Sequence, residues 1–363
     1  NKLRNNESKP LVDKTIHEQY PPGSTFKVVT AIAGLEEGVI DENTKFTCRG
    51  WIKIGNRVVH CHKKHGHGEM NVVSALTQSC DVFFYRVAQK MRSVDDLAKW
   101  AFHMGLGRRT GIELAREVPG LIPTEDWKRK RLHEPWTPGE TVNAAIGQGY
   151  TLVTTLQLAN MFATISNGGT LYQPYIVKSI ESYDGQAIES FEPRIVGRAH
   201  LSEKTYELIN QGLWGVVNGA NGTAGLSRLP GMDFSGKTGT AQVKRFTADR
   251  IFEKCVNLKY KDRHHGIFAG FAPAKNPAIA IAIIAEHACS GSGGAAPIAK
   301  EVVKAYLLKT YPDLYGPKAL AAAKLLPTLI APPVVPIQTE EDVGVGEESA
   351  PALGAGAPPE EDE

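Results

Sequence analysis

Several features are missing from this sequence, and each absence narrows the classes of protein to which it can belong. It has no initial methionine, no signal peptide and no apolar run long enough to cross a bilayer. It has no internal repeat and no nucleic-acid-binding motif, and its densest basic cluster, residues 128–131, is typical of a solvated surface. A repeat architecture is therefore excluded, and we expect no nucleic-acid partner.

The net charge of the chain is also small, but the charges are unevenly distributed along the sequence. The +2 of the whole chain comprises −9 in residues 339–363, which contain nine acidic and no basic residues, and +11 in residues 1–338. Beyond Tyr315 the composition is mainly Ala, Pro, Gly and acidic residues, which cannot bury enough apolar surface to offset chain entropy. We therefore predict one folded domain over residues 1–316 and a disordered Ala/Pro/Glu-rich tail over residues 317–363.

The hydrophobic pattern predicts an α+β fold, with a central antiparallel sheet flanked by helices. Helical periodicity is found in residues 26–35, 71–91, 94–103, 152–165, 202–217 and 298–308. Strand patterns occur in residues 172–181, 187–191, 266–272 and 278–286, as well as around Lys237. Residues 41–68 are predicted to form turns and short strands, and residues 105–142, which are rich in Gly and Pro, to be mostly loop.

A serine and a lysine at the start of the first helix form the first candidate for chemistry. Pro21, Pro22 and Gly23 cannot continue a helix from upstream, so Ser24 is predicted to lie in the first helical turn. The spacing of three residues places Lys27 on the same helix face, and the positive end of the helix dipole favours negative charge beside the serine. This pair can act as nucleophile and base, although Ser-x-x-Lys alone also occurs in ordinary capped helices.

Two further segments make a chance match improbable. Ser79-Cys80-Asp81 follows, and Lys237-Thr238-Gly239-Thr240 comes much later in a predicted strand. Ser-x-x-Lys, Ser-x-Asn and Lys-Thr-Gly in this order are the motifs of penicillin-binding proteins and class A β-lactamases. Asp81 stands where most of that superfamily has asparagine.

Other segments extend the resemblance to class B penicillin-binding proteins. Residues 138–141, 146–150, 155–159 and 268–273 resemble their transpeptidase domain, and residues 20–27, 66–68 and 127–141 resemble the cell-elongation group, penicillin-binding protein 2. Aspartate at the position of Asp81 occurs in some elongation enzymes. The similarity covers about residues 8 to 310.

The resemblance also implies features outside the present sequence. Class B enzymes carry a membrane anchor and a pedestal domain before the catalytic domain, so we expect both to precede these residues in the intact protein. The expected location is the periplasmic face of the bacterial inner membrane. A membrane glycosyltransferase of the elongation machinery is the expected partner.

The motifs have defined roles in this family. Ser24 is the expected nucleophile and Lys27 its neutral base, with a pKa lowered by burial near Lys237. Ser79 is expected to relay a proton, held in place by Asp81 or Lys27, and the backbone N–H groups of Ser24 and Thr240 to form the oxyanion hole. The remaining expected substrate contacts, with a peptide ending in D-Ala-D-Ala, lie on the third-motif strand: Lys237, Thr238, Gly239, Thr240, Ala241 and Gln242.

The five cysteines cannot all pair in disulfides, and three of them lie close together in the sequence. Cys48, Cys61, His67 and Cys80 match positions at which some elongation enzymes hold zinc, and Cys3His is a common structural zinc set. The alternatives are a disulfide between two of these cysteines and a group of loop histidines, His60, His62 and His65, without a ligand role. Cys255 and Cys289 are expected to be inert or paired.

The predicted function is that of a peptidoglycan D,D-transpeptidase, which cross-links wall stem peptides through an acyl-serine and is inhibited by β-lactams. The nearest alternative is a serine β-lactamase or D,D-carboxypeptidase, which would need a base for deacylation, and Glu140 lies near Asn143. A further alternative is a non-catalytic β-lactam sensor or scaffold. The intact pair of Ser24 and Lys27 argues against a scaffold.

Overall fold

The computed structural model describes residues 2–6, 9–243, 253–316 and 319 of the chain. The described residues contain ten α-helices: α1 (Lys27–Glu36), α2 (Val72–Thr77), α3 (Asp81–Lys90), α4 (Val94–His103), α5 (Glu125–Leu132), α6 (Pro138–Ala144), α7 (Thr155–Ser166), α8 (Glu203–Asn218), α9 (Ala296–Thr310) and α10 (Pro312–Tyr315). None of these helices is long and apolar enough to cross a membrane.

Eleven strands accompany the helices in the same part of the chain. They are β1 (Phe46–Cys48), β2 (Trp51–Ile54), β3 (Arg57–His60), β4 (Gly68–Met70), β5 (Thr170–Tyr172), β6 (Ser179–Glu181), β7 (Ala187–Ser190), β8 (Ile195–Arg198), β9 (Ser235–Ala241), β10 (His265–Ala272) and β11 (Ile279–Ala285). The pairs β1–β4, β2–β3, β5–β8 and β6–β7 form two-stranded antiparallel ribbons.

The central sheet has the strand order β11-β10-β9 and is antiparallel throughout. Successive side chains of β10 enter two different apolar clusters, because neighbouring residues of a strand point to opposite faces. Ile267, Ala269 and Phe271 join residues of α1, α3, α4 and α7. Phe268 and Ala272 join residues of α8 and α9. Helices therefore cover both faces of the sheet, and the predicted α+β architecture is confirmed.

Helix α1 is the centre of the helical part of the domain. Eight of its ten residues, from Lys27 to Gly34, are buried, and it packs against α3, α4 and α8. A helix that is apolar around most of its circumference belongs in a core. The start of α1 is thereby held by neighbours on several sides.

Most predicted elements are found, and residues 105–142 are mostly loop, as predicted, although two helices that the sequence did not indicate begin there. These residues contain α5 and the start of α6. Thr124 accepts a hydrogen bond from the Trp127 N–H at 3.0 Å and so caps α5, whose polar sequence gives no apolar stripe. At α6 the Thr137 N–H donates to Glu140 at 2.8 Å, and Pro138 occupies the first turn.

Two other boundaries differ from the prediction. Helix α7 begins at Thr155, three residues later than the periodicity indicated, because Thr154 caps it by accepting from the Gln157 N–H. The predicted strand over residues 172–181 is broken after Tyr172, where Pro174 cannot donate to a ladder.

A disulfide joins Cys255 to Cys289, so of the two alternatives given for these cysteines, inert or paired, the structure has the pair. The predicted tail over residues 317–363 lies outside the described residues, apart from residue 319.

Candidate active site

A tightly packed turn presents Ser24 at the start of α1. Residues 23–25 form a 3₁₀ turn, in which Gly23 has a φ of +54° and donates its N–H to the Gly147 carbonyl at 2.9 Å. A Cβ atom at Gly23 would lie 2.4 Å from the carbonyl oxygen of Thr240 in β9. Only glycine therefore lets the serine turn approach the strand so closely. Ser24 itself is half-buried.

Lys27 is fully buried, and its amine points to the second motif. The Nζ atom donates to the Ser79 carbonyl at 2.8 Å, to Ser79 Oγ at 3.1 Å and to Asp81 Oδ1 at 2.7 Å. Among the described residues it makes no hydrogen bond with Ser24. The structure therefore brings the Lys27 amine to Ser79 and Asp81, two residues that the sequence analysis had assigned to the same site.

The second motif connects α2 to α3. Ser79 has a φ of +56°, which is rare for a residue with a side chain, and Asp81 is the first residue of α3. Burial alone would raise the pKa of Asp81, but the charge of Lys27 and a hydrogen bond with His62 outweigh it and lower the pKa. Asp81 is therefore held as a carboxylate.

His62 is a site residue that the sequence interpretation missed. Its backbone N–H donates to Asp81 Oδ2 at 2.9 Å, and its ring Nδ1 lies 3.3 Å from the same oxygen. The sequence analysis treated His60, His62 and His65 only as loop histidines that lie near a metal cluster without binding the metal. A backbone donor 19 positions before its acceptor has no sequence signature.

The third motif lies on β9, at one edge of the central sheet. Lys237 is fully buried, and its Nζ lies 3.3 Å from the Thr238 carbonyl. Burial, and next the charge of Lys27, lower the pKa of Lys237 well below its usual range. In the part of the chain that the structure describes, Lys237 forms no salt bridge.

Contacts from outside the motifs fix the substrate side of β9. The hydroxyls of Thr238 and Thr223 lie 2.7 Å apart, and Gln148 donates to the Thr240 carbonyl at 3.2 Å. The predicted substrate residues Gly239 and Ala241 lie within β9, and Gln242 lies exposed immediately after it. Gln148 belongs to one of the segments that carry the family resemblance, whereas Thr223 had no sequence signal.

The predicted metal ligands come together beside the second motif. The ligand atoms of Cys48, Cys61, His67 and Cys80 all lie within 4.8 Å of one another, and the three cysteines form no disulfide. His67 Nδ1 lies 3.6 Å from Cys48 Sγ and 3.5 Å from Cys61 Sγ. Ligand distances of a tetrahedral zinc site imply S–N separations of roughly 3.6 Å, so the arrangement fits the ion.

The electrostatics of the cluster favour a thiolate at Cys61 alone, since burial raises the pKa of Cys48 and the hydrogen bond with Cys61, followed by burial, raises the pKa of Cys80. A hydrogen bond from Cys80 lowers the pKa of Cys61, burial opposes this, and His62 and His67 add to the lowering. The net effect is a pKa well below the usual range. The structure disfavours the alternative of a disulfide within this group, since all three sulfurs are unpaired.

The family model of the penicillin-binding protein transpeptidase domain matches residues 1–304. The chain belongs to this family. Peptidoglycan D,D-transpeptidase MrdA of Haemophilus influenzae is 35% identical to it over 319 residues, which cover 86% of this chain and 48% of that protein. The predicted family is therefore confirmed, and the chain spans about half the length of this relative.

Solved structures of penicillin-binding protein 2 share the fold. The Pseudomonas aeruginosa protein in complex with WCK 5153 has 35% identity and a TM-score of 0.72, covering 85% of this chain and 63% of that one. The Helicobacter pylori protein in complex with MreC has 29% identity and a TM-score of 0.74, and the match covers 86% of this chain and 54% of that one. Both lend weight to the similarity with penicillin-binding protein 2.

Proposed function

We propose that this chain is the catalytic domain of a peptidoglycan D,D-transpeptidase that acts in cell elongation. The observation that carries the proposal is the convergence of three motifs: the Ser24 turn packs against Thr240 of β9, while Lys27 bonds to Ser79 and Asp81. A nucleophile, a proton-handling lysine and a strand edge thereby meet at one place. The H. influenzae relative bears the name of this activity.

The reaction proceeds by two acyl transfers. Ser24 Oγ attacks the carbonyl carbon between two D-alanines and loses its proton to the Lys27 amine, and the oxyanion is held by the N–H groups of Ser24 and Thr240. Collapse of the intermediate breaks the C–N bond; Ser79 gives its hydroxyl proton to the departing amine of D-alanine and takes up the proton held by Lys27. The amine of a second stem peptide then attacks the ester and loses a proton as the new amide forms, and Ser24 Oγ takes up that proton as it leaves.

The edge strand β9 supplies the contacts that select the substrate. Lys237 is a buried cation without a salt bridge in the described part of the chain, and the Thr238 and Thr240 hydroxyls are its neighbours on β9. A free terminal carboxylate can complete this group, and an extended peptide can add to the edge from Thr240 to Gln242. A β-lactam carries a carboxylate next to a reactive amide and would acylate Ser24 in the same way.

The cluster of Cys48, Cys61, His67 and Cys80 is proposed to hold a structural zinc ion. Four protein ligands fill a tetrahedral site and leave no position for a reactive water. Bound zinc would contribute a cross-link between the loop at residues 48–67 and the second motif through Cys80. The loop cross-linked in this way would hold Ser79 and Asp81 in position beside Lys27.

The disulfide supports a location outside the cytoplasm. Stable disulfides such as Cys255–Cys289 form in oxidising compartments, among them the bacterial periplasm. We place the domain at the periplasmic face of the inner membrane, with an anchor in the intact protein. A membrane glycosyltransferase is the proposed partner, and the H. pylori relative has been solved with MreC.

A β-lactamase is the less favoured alternative, because its deacylating base is not supported. The Glu140 carboxylate lies 2.6 Å from Lys128 Nζ, and its other oxygen accepts from the Thr137 N–H at 2.8 Å. These contacts give Glu140 a structural use at the start of α6. An acyl-serine should therefore persist until an amine arrives.

Intact mass after incubation with a fluorescent penicillin tests the proposal. The native protein should gain one penicillin on Ser24 and retain it, whereas Ser24→Ala should gain none and melt within a few degrees of the native protein. Labelling at another serine would contradict the assigned nucleophile. Rapid hydrolysis of the adduct would favour the β-lactamase.

A further inference from the structure

The Asp81 carboxylate is shared between two donors on opposite sides. Lys27 Nζ binds Oδ1 at 2.7 Å, while the backbone N–H and ring Nδ1 of His62 approach Oδ2 at 2.9 and 3.3 Å. The Asp81 side chain is 12% exposed, and that of His62 is 51% exposed. His62 therefore closes the solvent side of a carboxylate whose other side faces the buried lysine.

This arrangement ties the orientation of the carboxylate to the position of the lysine. The terminal torsion of an aspartate is broad, so one donor does not fix both oxygens. With Oδ2 fixed by His62, Oδ1 faces Lys27, and the amine lies within 3.1 Å of Ser79 Oγ. Without the ring donor, Oδ2 keeps only the backbone bond, so the carboxylate is held less firmly and the lysine can shift away from the serine.

We propose that His62 is a positioning residue, whose ring Nδ1–H orients Asp81 and thereby holds Lys27 against Ser79. The inference rests on the proposed function, since it concerns the lysine of that reaction. His62 Nδ1 also lies 3.9 Å from Cys61 Sγ, so the test must distinguish positioning of Asp81 from an effect on metal binding. The backbone bond from His62 persists whatever the side chain, so substitution isolates the contribution of the ring.

Asparagine and glutamine at position 62 test whether the position of the hydrogen-bond donor matters, as distinct from the size of the side chain. In His62→Asn the amide nitrogen is as many bonds from Cα as Nδ1 is, whereas in His62→Gln it corresponds to Nε2. We expect His62→Ala and His62→Gln to lower the acylation rate constant of Ser24 by about tenfold, as for loss of a hydrogen bond to a charged group. His62→Asn should restore most of the rate, and the dissociation constant for penicillin before acylation should not change.

Controls separate this effect from damage to the loop. His65→Ala, at an exposed histidine of the same loop, should acylate normally. Zinc content and melting temperature should be equal in the alanine and asparagine variants at position 62. In the Asp81→Asn background, His62→Ala should cause little further loss, because the ring acts through Asp81.

Several results would overturn the inference. The first is an equal acylation rate constant for His62→Asn and His62→Ala. The second is a full tenfold loss of that rate constant when His62→Ala is added to Asp81→Asn. The third is a loss of zinc from the slow variants that is large enough to explain their rates. A crystal structure of His62→Ala with the Lys27–Asp81–Ser79 contacts unchanged would contradict it without reference to acylation. Failure of the native protein to label at Ser24 would instead count against the proposed function.

Discussion

The two halves of the candidate site differ in the contacts that their buried lysines make. In the first half, which comprises Lys27, Ser79, Asp81 and His62, the lysine ends against a carboxylate and a serine. In the second half, the strand β9, Lys237 contacts a backbone carbonyl and forms no salt bridge within the described residues. Both side chains are fully buried.

The difference indicates two uses of burial. A lysine paired with an internal carboxylate is held in place, which suits a group that must transfer protons at one position. A buried cation without such a partner has an unfavourable charged form, as the lowered pKa of Lys237 indicates. An anion that binds beside Lys237 would stabilise its charged form. The second half is therefore suited to binding a carboxylate, and the first half to proton transfer.

Replacement of Lys27 should have the largest effect. Lys27→Arg keeps the charge but cannot accept a proton, so Ser24 acylation should fall by about 10²–10⁴-fold, the usual contribution of a general base. Stopped-flow acylation with a fluorescent penicillin measures the rate. Lys27→Met is a poorer test, because it leaves the buried Asp81 without its partner and can destabilise the fold. Near-normal acylation by a folded Lys27→Arg variant would refute the division between the halves.

Removal of the proposed zinc should affect only the first half. Cys80 lies between Ser79 and Asp81, so a chelator or Cys61→Ser should loosen that segment, lower the melting temperature by about 5 °C or more and slow acylation. The matched control is the chelator added to Cys61→Ser, which should cause little further loss because the site is already disrupted. Less than a tenth of a zinc ion per chain in protein purified without added metal would contradict the assignment.

The stability of the second half should depend on pH through Lys237, with a smaller effect. Its folded pKa lies below the value of about 10.4 in an unfolded chain, so between the two values the unfolded chain binds more protons and stability rises with pH. Lys237→Met should therefore be more stable than the native protein at neutral pH, and this advantage should shrink toward pH ~10. Denaturant melts at several pH values measure the difference. A gap that stays constant across this range would mean that Lys237 is not the source.

The sequence predicted the catalytic motifs better than the contacts that support them. Ser24, Lys27, Ser79, Asp81 and Lys237 were found because their spacing and order follow a known pattern. Their partners lie far away in the sequence and have no such pattern. Thr223 reaches Thr238 only because the residues after α8 run beside β9, and the sequence does not reveal that path.

The same limit applies to the fold. Helix α4, from Val94 to His103, was predicted with its observed bounds, because its apolar stripe and its Ser93 cap are local features. Helix α5 was missed, because it is polar on all sides and is stabilised by Thr124 and by its setting. The pairing of Cys255 with Cys289 spans 34 positions, and connectivity of this kind cannot be read from spacing.

The contact between the serine turn and β9 also limits how this protein can evolve. A methyl group at Gly23 would collide with the Thr240 carbonyl, and one at Gly147 would lie 2.3 Å from the Gly23 carbonyl. Neither position can accept a side chain without moving the nucleophile relative to the strand. Substitution at Gly23 or Gly147 is therefore closed to this chain, and any change in the fit between the serine turn and β9 has to come from other positions.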